Sequence, residues 1–243
     1  MIKKELSIIL PVYNEKESLG IMVRLLATTL KFNHEIIIIH DSFNDNSLEE
    51  ANILKKEFSN VKVIHNKIGP GVKNAVETGV KNSTYDLILI TAVDEIFPII
   101  SIDRMLEQLV KNNQDFISGT RYSKGGSRLG GSAVGSILSR TANKIFNYLS
   151  EIELTDCTTG IKMMKKEVWN SIEFRSNSVG WAFAFELSIK AYIKGYKISE
   201  YPIKSVDRLF GGSSTFKLGP WLKEYLKWFF WGIRETRKYA KKK

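Results

Sequence analysis

The chain has 243 residues, 43% of them hydrophobic and 26% charged, enough for one large α/β domain with a full core and too well mixed for a disordered or low-complexity protein. Lys plus Arg number 36 against 26 Asp plus Glu, a net charge of +10, which points to an anionic partner such as phosphate, nucleic acid or a lipid surface. The single cysteine, Cys157, excludes an intramolecular disulfide; the opening MIKKELSIIL lacks the apolar segment of a signal peptide, and no run reaches the roughly 18 apolar residues of a membrane span, so a cytoplasmic chain, soluble or peripheral, is expected.

Ile- and Val-rich runs at 6–12, 35–40, 61–65 and 86–91 are separated by helical patterns, which predicts a mostly parallel, doubly wound sheet. The first run, LSIILPVYNE, passes straight from strand to a polar turn. It delivers Pro11, Tyr13, Asn14 and Glu15 to the carboxyl edge of the sheet, where such sheets bind ligands. Ser47-Leu-Glu-Glu50 reads as a capping box opening the second helix, and a third helix is expected near Gly71, after the Gly69-Pro70 turn. Beyond residues 115–119 the pattern loosens into a Gly/Ser-rich stretch at 122–136, helices at 137–149 and 183–194, and a strand at 197–203. Residues 204–217 have the composition of a functional lid or of a plain linker.

The last helix is expected at 220–241. Lys223, Lys227, Arg234, Lys238 and Lys241 fall in a stripe about 60° wide, opposite Leu222, Tyr225, Leu226, Phe229 and Ile233. A basic amphipathic helix rich in Trp and Phe suits an anionic membrane surface; the alternative is a helix docked on the core with a solvated charged face.

Two acidic clusters end the second and fourth strands: HDSFNDNS, with Asp41 and Asp45, and TAVDEIFP, with Asp94 and Glu95. In a parallel sheet these ends face one crevice, so the carboxylates can converge on a nucleotide and on a hard cation such as Mg or Mn. His34 and His65 read as strand-end surface groups and Cys157 as a buried small hydrophobe. GPGVKNAVETG is neither a P-loop nor a dinucleotide fingerprint.

Taken in order, PVYNE, HDSFNDNS, NKIGPGVKNAVETG, TAVDEIFP, GTRY, DCTTGIKMMKKEV, GWAFAFE, EYPI and RLFGGSS resemble the family 2 glycosyltransferases of the GT-A fold. The closest likeness is to their polyprenyl-phosphate branch, similar to dolichol-phosphate-mannose synthases. The resemblance implies a GT-A domain over 1–217 followed by the amphipathic helix at 218–243. It implies transfer of a sugar, with inversion, from a nucleoside-diphosphate sugar to a polyprenyl phosphate or a saccharide acceptor, by a protein peripheral on the inner face of the cell membrane. Donor-binding residues would be Pro11, Tyr13, Glu15, Asp41, Gly71, Lys73, Arg121 and Arg208, with Asp94 and Glu95 on a divalent cation. Asp94, Asp156 and Glu186 are the catalytic candidates; a hydroxyl acceptor would need Asp156 or Glu186 as base, whereas a phosphate acceptor needs none.

The chain departs from the family pattern at four places. His40 and Ala92 stand where the family has the first Asp of its nucleotide-binding pair and of its Asp-x-Asp signature, and Gly135 and Ser214 replace an arginine and a lysine of the polyprenyl-phosphate branch. These changes keep open a catalytically inactive nucleotide-sugar-binding protein. Nucleic acid is not expected as a partner, because only the last helix interleaves basic and aromatic residues.

Overall fold

The computed structural model describes residues 4–131, 133–207 and 218–242. Strand and helix alternate through β1 (Glu5–Val12), α1 (Lys16–Thr29), β2 (Asn33–His40), α2 (Ser47–Glu57), β3 (Val61–His65), α3 (Val72–Lys81), β4 (Leu87–Ile90), α4 (Ile99–Lys111) and β5 (Phe116–Thr120). There follow β6 (Ser127–Gly130), α5 (Ala133–Ser150), β7 (Lys162–Lys165), α6 (Lys166–Asn170), α7 (Ala182–Ile193), β8 (Ile198–Pro202), β9 (Lys204–Asp207) and α8 (Leu218–Ala240). The main sheet has the order β3-β2-β1-β4-β7-β5-β8, and β6 and β9 form a separate parallel pair.

The Ile-rich strands are continuous apolar runs because the sheet is covered on both faces. Successive side chains alternate between two cores: Ile8, Leu10, Ile36 and Ile38 join the helices α1, α2 and α4, while Ile9, Ile37 and Ile39 join α3, α5, α7 and α8. β1 pairs in parallel with β2 on one side and β4 on the other. The polar turns after β1, β2 and β4 therefore share one edge, as the strand-end reading requires.

Four local features differ from the sequence-based expectations. The capping box does not form: Ser47 is already helical, its Oγ accepts the Glu15 amide at 2.8 Å, Glu50 pairs with Arg24 at 2.8 Å, and Asp45 Oδ1 takes the Ser47 amide at 2.8 Å. Long-range partners have outcompeted the local pattern. β7 enters the sheet antiparallel to both β4 and β5, a reversal inside an otherwise parallel sheet. The first residues of the expected lid are β9, paired with β6; the rest, including Arg208, Ser214 and Lys217, lies outside the described residues.

The fourth difference is the face that α8 buries. Glu224, Trp228 and Thr236 are buried, so the helix docks on α7 and α5 through the 224/228/232/236 line. Gly232 sits at the crossing, where an added Cβ would meet Ile189 at 2.7 Å and Phe146 at 2.9 Å. Tyr225, Phe229 and Ile233 flank this contact, but Leu222, Leu226 and Phe230 remain exposed. Among the described residues no helix is long and apolar enough to cross a membrane.

Candidate functional site

The crevice at the carboxyl ends of β1, β2 and β4 is laced together by the turns that form it. Asn14 adopts a left-handed backbone, φ 58°, a conformation short polar side chains tolerate. Its amide reaches Asp45 Oδ1 at 3.0 Å, and its side-chain oxygen accepts the Asn46 amide at 3.2 Å. This strapping leaves Tyr13 61% exposed at the rim, with Pro11 half-buried beside it and Glu15 at the start of α1.

Asp41 is built into the next turn. One carboxylate oxygen accepts the Gly71 amide at 2.7 Å and the other accepts Asn66 Nδ2 at 2.7 Å. Gly71 has φ 113° and an added Cβ would lie 2.9 Å from Ser178 Cβ, so both conformation and space require glycine. Lys73, the second residue of α3, donates to the Ser176 carbonyl at 3.0 Å. Asn66, which sequence reasoning passed over, is the buried hub of this corner: it also donates to the Gly69 carbonyl and accepts from the Ile68 amide and the Thr78 hydroxyl. The available signal was a polar residue directly after a strand.

Asp94 and Glu95 stand half-buried in the turn after β4. Among the described residues no group of three or more His, Cys, Asp or Glu gathers as a cation cage. Two carboxylates of hard oxygen character fit Mg or Mn once diphosphate oxygens complete the shell.

Across the crevice, Arg121 follows β5 and grips Asp156. Its Nε lies 2.7 Å from Oδ2 and its Nη2 3.0 Å from Oδ1, a two-pronged pair that matches guanidinium to carboxylate. Asp156 is fully buried. Burial alone would raise its carboxyl, but the Arg121 charge outweighs this and holds it below the usual carboxylate range. Burial likewise opposes the Arg121 charge, and Asp156 overcomes it, keeping the guanidinium protonated. Behind them Lys162, entirely buried on β7, donates to Ser118 Oγ at 2.7 Å and to the Cys157 carbonyl at 3.2 Å. Burial lowers its ammonium to about 8 and pushes the Cys157 thiol up to about 12.

Arg121 also opens onto a cavity of about 270 Å³ lined by Tyr122, Ser123, Gly126, Ser127, Arg128, Ser136 and Arg140. The Tyr122 hydroxyl donates to Ser139 at 2.8 Å and its ring lies 5.1 Å from the Arg121 guanidinium carbon. Three arginines on three separate elements thus border one concavity, a grouping that sequence spacing does not reveal. Glu186 lies elsewhere: fully buried in α7, it accepts the Arg175 and Ser176 amides at 2.7 and 2.8 Å and pairs with Lys190 at 2.5 Å. The structure therefore brings Pro11, Tyr13, Glu15, Asp41, Gly71, Asp94 and Glu95 to one sheet edge, sets Arg121 and Asp156 beyond it, and holds Glu186 within the support of the 175–176 segment.

The family model "Glycosyl transferase family 2" matches residues 7–172. A dolichol-phosphate mannosyltransferase of Pyrococcus furiosus is 30% identical over 226 residues, which is 92% of this chain and 62% of that protein; the chain thus spans less than two thirds of that relative. A polyprenol monophosphomannose synthase of Mycolicibacterium smegmatis is 27% identical over 93% of this chain and 86% of its own length. A dolichyl-phosphate hexose transferase of Haloferax volcanii is 26% identical over 84% of each. Among solved structures, glucosyl-3-phosphoglycerate synthase from Mycobacterium tuberculosis, in complex with Mn2+, UDP-glucose and phosphoglyceric acid, superposes with a TM-score of 0.72 at 14% identity, covering 94% of this chain and 79% of that one. At that identity the likeness concerns the fold, which is GT-A.

Proposed function

The chain belongs to glycosyl transferase family 2, and from that premise we propose that it transfers a sugar, with inversion, from a nucleoside-diphosphate sugar to a polyprenyl phosphate at a membrane surface. The observation that carries this choice of acceptor is the state of the two carboxylates that could serve as base. Asp156 and Glu186 are both fully buried, and each has both oxygens engaged by partners. A hydroxyl acceptor needs an open base, whereas a phosphate oxygen attacks already ionised. The cavity bordered by Arg121, Arg128 and Arg140 offers that anion cationic donors.

In this reading the acceptor oxygen bonds to the anomeric carbon as the bond to the donor's diphosphate breaks, and no proton moves. Pro11 and Tyr13 flank the nucleoside. Asp41 shapes the turn beneath it through Gly71. Asp94 and Glu95 would hold a divalent cation that neutralises the departing diphosphate. Asp156 fixes the Arg121 fork. The role proposed for Arg208 lies outside the described residues.

Membrane docking is supported by Leu222, Leu226 and Phe230 on α8 and by Ile137, Leu138, Ile145 and Tyr148 on α5, all exposed. The two helices pack on one another and carry Lys144, Arg234 and Lys238, with Lys241 just past the end of α8. Such a combination suits the headgroup region of an anionic bilayer on the cytoplasmic side.

The test supplies the full chain with labelled UDP- and GDP-sugars plus Mn2+, and offers a short-chain polyprenyl phosphate, the matching polyprenol, or a free sugar. Lipid-linked product from the phosphate alone is the expected result; transfer to the polyprenol or the sugar refutes the acceptor assignment. Because Ala92 leaves the cation fewer carboxylates, a second reading stands: donor binding with no turnover on any acceptor would mark a nucleotide-sugar-binding protein of the same fold.

A further inference from the structure

The polar face of α5 does more than line the cavity. Ser136, Arg140, Asn143 and Asn147 recur at spacings of four, three and four, which at about 100° per residue puts them on one stripe about 60° wide. The first two border the arginine-lined cavity. The other two turn inward, onto the segment that carries Asp156. Asn147 Nδ2 donates to the carbonyls of Ile152 and Leu154 at 2.7 and 3.2 Å, and Asn143, only 3% exposed, clasps residues 157 and 158.

The hydrogen bonds of Asn143 fix its orientation. Oδ1 accepts the Cys157 amide at 2.9 Å, and Nδ2 donates to the Ser139 carbonyl at 3.0 Å and to Thr158 Oγ1 at 2.9 Å. A carbonyl can only accept and a backbone amide can only donate, so the side chain has one way round. Thr158 carries the chain of bonds further. Its hydroxyl donates to Asp156 Oδ1 at 3.1 Å and accepts from Asn143 and, at 3.4 Å, from Arg121 Nη2, which uses its one proton and both lone pairs. Helix α5 is thus joined to the Arg121 fork through Asn143, Thr158 and Asp156. Packing alone does not call for an amide here, since Phe146 already seats α5 in the core and a polar group costs free energy to bury.

Resting on the acceptor reading above, we infer that Asn143 is a positioning residue for the transfer: by clasping the 156–158 turn to α5, it fixes the separation of Arg140 from Arg121 across the cavity, so that both guanidinium groups meet one acceptor phosphate. Arg140 belongs to a helix and Arg121 to a strand end, and two cations on separate elements act as one cradle only while the elements are held in register. The cradle grips the phosphate before and during transfer alike. Loosening it therefore removes uniform binding, which appears in KM rather than in kcat.

Calorimetric titration of the full chain with a short-chain polyprenyl phosphate, beside kinetics with labelled UDP- and GDP-sugars in Mn2+, tests this. Asn143→Ala should raise both Kd and KM for the phosphate about 5- to 50-fold, with kcat and the donor KM held within about twofold. Because it also strips the Cys157 amide of its partner, Thr158→Val, which cuts the link and keeps that bond, is the second variant. It should raise the acceptor Kd in the same direction, and Thr158→Ser, which returns the hydroxyl, should reverse the effect. A positioning role depends on Arg140, whereas a general packing defect does not: in the Arg140→Ala background, Asn143→Ala should cost less than about twofold. Full and independent costs in that background, or a wild-type acceptor Kd in Thr158→Val, overturn the inference and leave the acceptor reading standing. A wild-type chain that binds the polyprenol as tightly as its phosphate overturns both.

Discussion

Replacing Asp156 by Asn separates a positioning carboxylate from a catalytic base. The side chain of Asp156 is fully buried and that of Arg121 is 10% exposed, and both carboxylate oxygens receive guanidinium N–H groups. The amide is nearly isosteric but presents an NH2 to a second donor, so it removes the charge and one prong while Arg121 and Lys162 stay buried. Breaking such a pair from one side costs about 3–5 kcal/mol, a Tm lower by about 6–20 °C at about 2–4 °C per kcal/mol for a chain of this size. The sign of the acid dependence follows from the lowered carboxyl: its stabilisation is present above the unfolded value of about 3.9 and is lost as pH falls through the folded one. Wild type should therefore soften below about pH 4 where Asp156→Asn does not. Thermal melts across pH 3–7, beside steady-state kinetics with a polyprenyl phosphate, make the measurement. The expected pattern is a large fall in Tm, a raised KM for the acceptor, and an unchanged shape of the pH–rate profile. An unchanged Tm with kcat lowered about 10²–10⁴-fold, the signature of a lost base, would refute the reasoning.

Two further outcomes follow from the same geometry. Lys162 releases its proton near pH 8 in the folded chain and near its ordinary 10.5 when unfolded, so the unfolded chain holds more protons in between and stability rises with pH there, by about 3 kcal/mol. Cys157 adds an opposing loss above about pH 9, because its folded thiol is raised. The difference between wild type and Lys162→Met in urea melts isolates the lysine, and identical slopes over pH 8–10.5 would refute its burial as an ammonium. On α8, the triple substitution Leu222→Ser, Leu226→Ser, Phe230→Ser removes three exposed side chains without touching the docked line through Trp228. At about 1.5–3 kcal/mol for each apolar side chain buried in lipid, co-sedimentation with anionic liposomes should be abolished while Tm holds; undiminished sedimentation would refute the docking face.

Strands β1 to β4 are legible in the sequence because burial on both faces demands unbroken Ile and Val runs, and the turns between them carry Gly69, Pro70 and Gly71. Their shared edge follows from parallel pairing, so Tyr13, Asp41 and Asp94 are found together before any coordinates are known. β7 is hidden because KMMK is short and holds two lysines; the Ser118 hydroxyl and the Cys157 carbonyl, which accept from Lys162, explain a buried ammonium in a central strand. The capping box fails because the Glu15 amide takes the Ser47 hydroxyl and Arg24 takes Glu50, long-range contacts that local pattern cannot anticipate. On α8 the hydrophobic residues run nearly all the way around, so periodicity identifies a helix but not its docked side. The small Gly232 and the polar Glu224 and Thr236, which face inward, look like surface residues in the sequence. The arginine-lined cavity assembles residues 121, 128 and 140 from a strand end, a short ribbon and a helix, and only the fold makes them neighbours.

The 175–178 segment has no slack. Glu186 of α7 takes the amides of Arg175 and Ser176, Glu224 of α8 takes the amide and side chain of Asn177 at 3.0 and 2.8 Å, Lys73 of α3 holds the Ser176 carbonyl, and Ser178 abuts Gly71. A bracket fastened to three helices cannot open piecemeal. Helix α8 and the turn that opens α3 then belong to one cooperative unit, and their amides should exchange with deuterium at a common opening free energy, so that whatever loosens α8 from its seat loosens residues 71–73 with it.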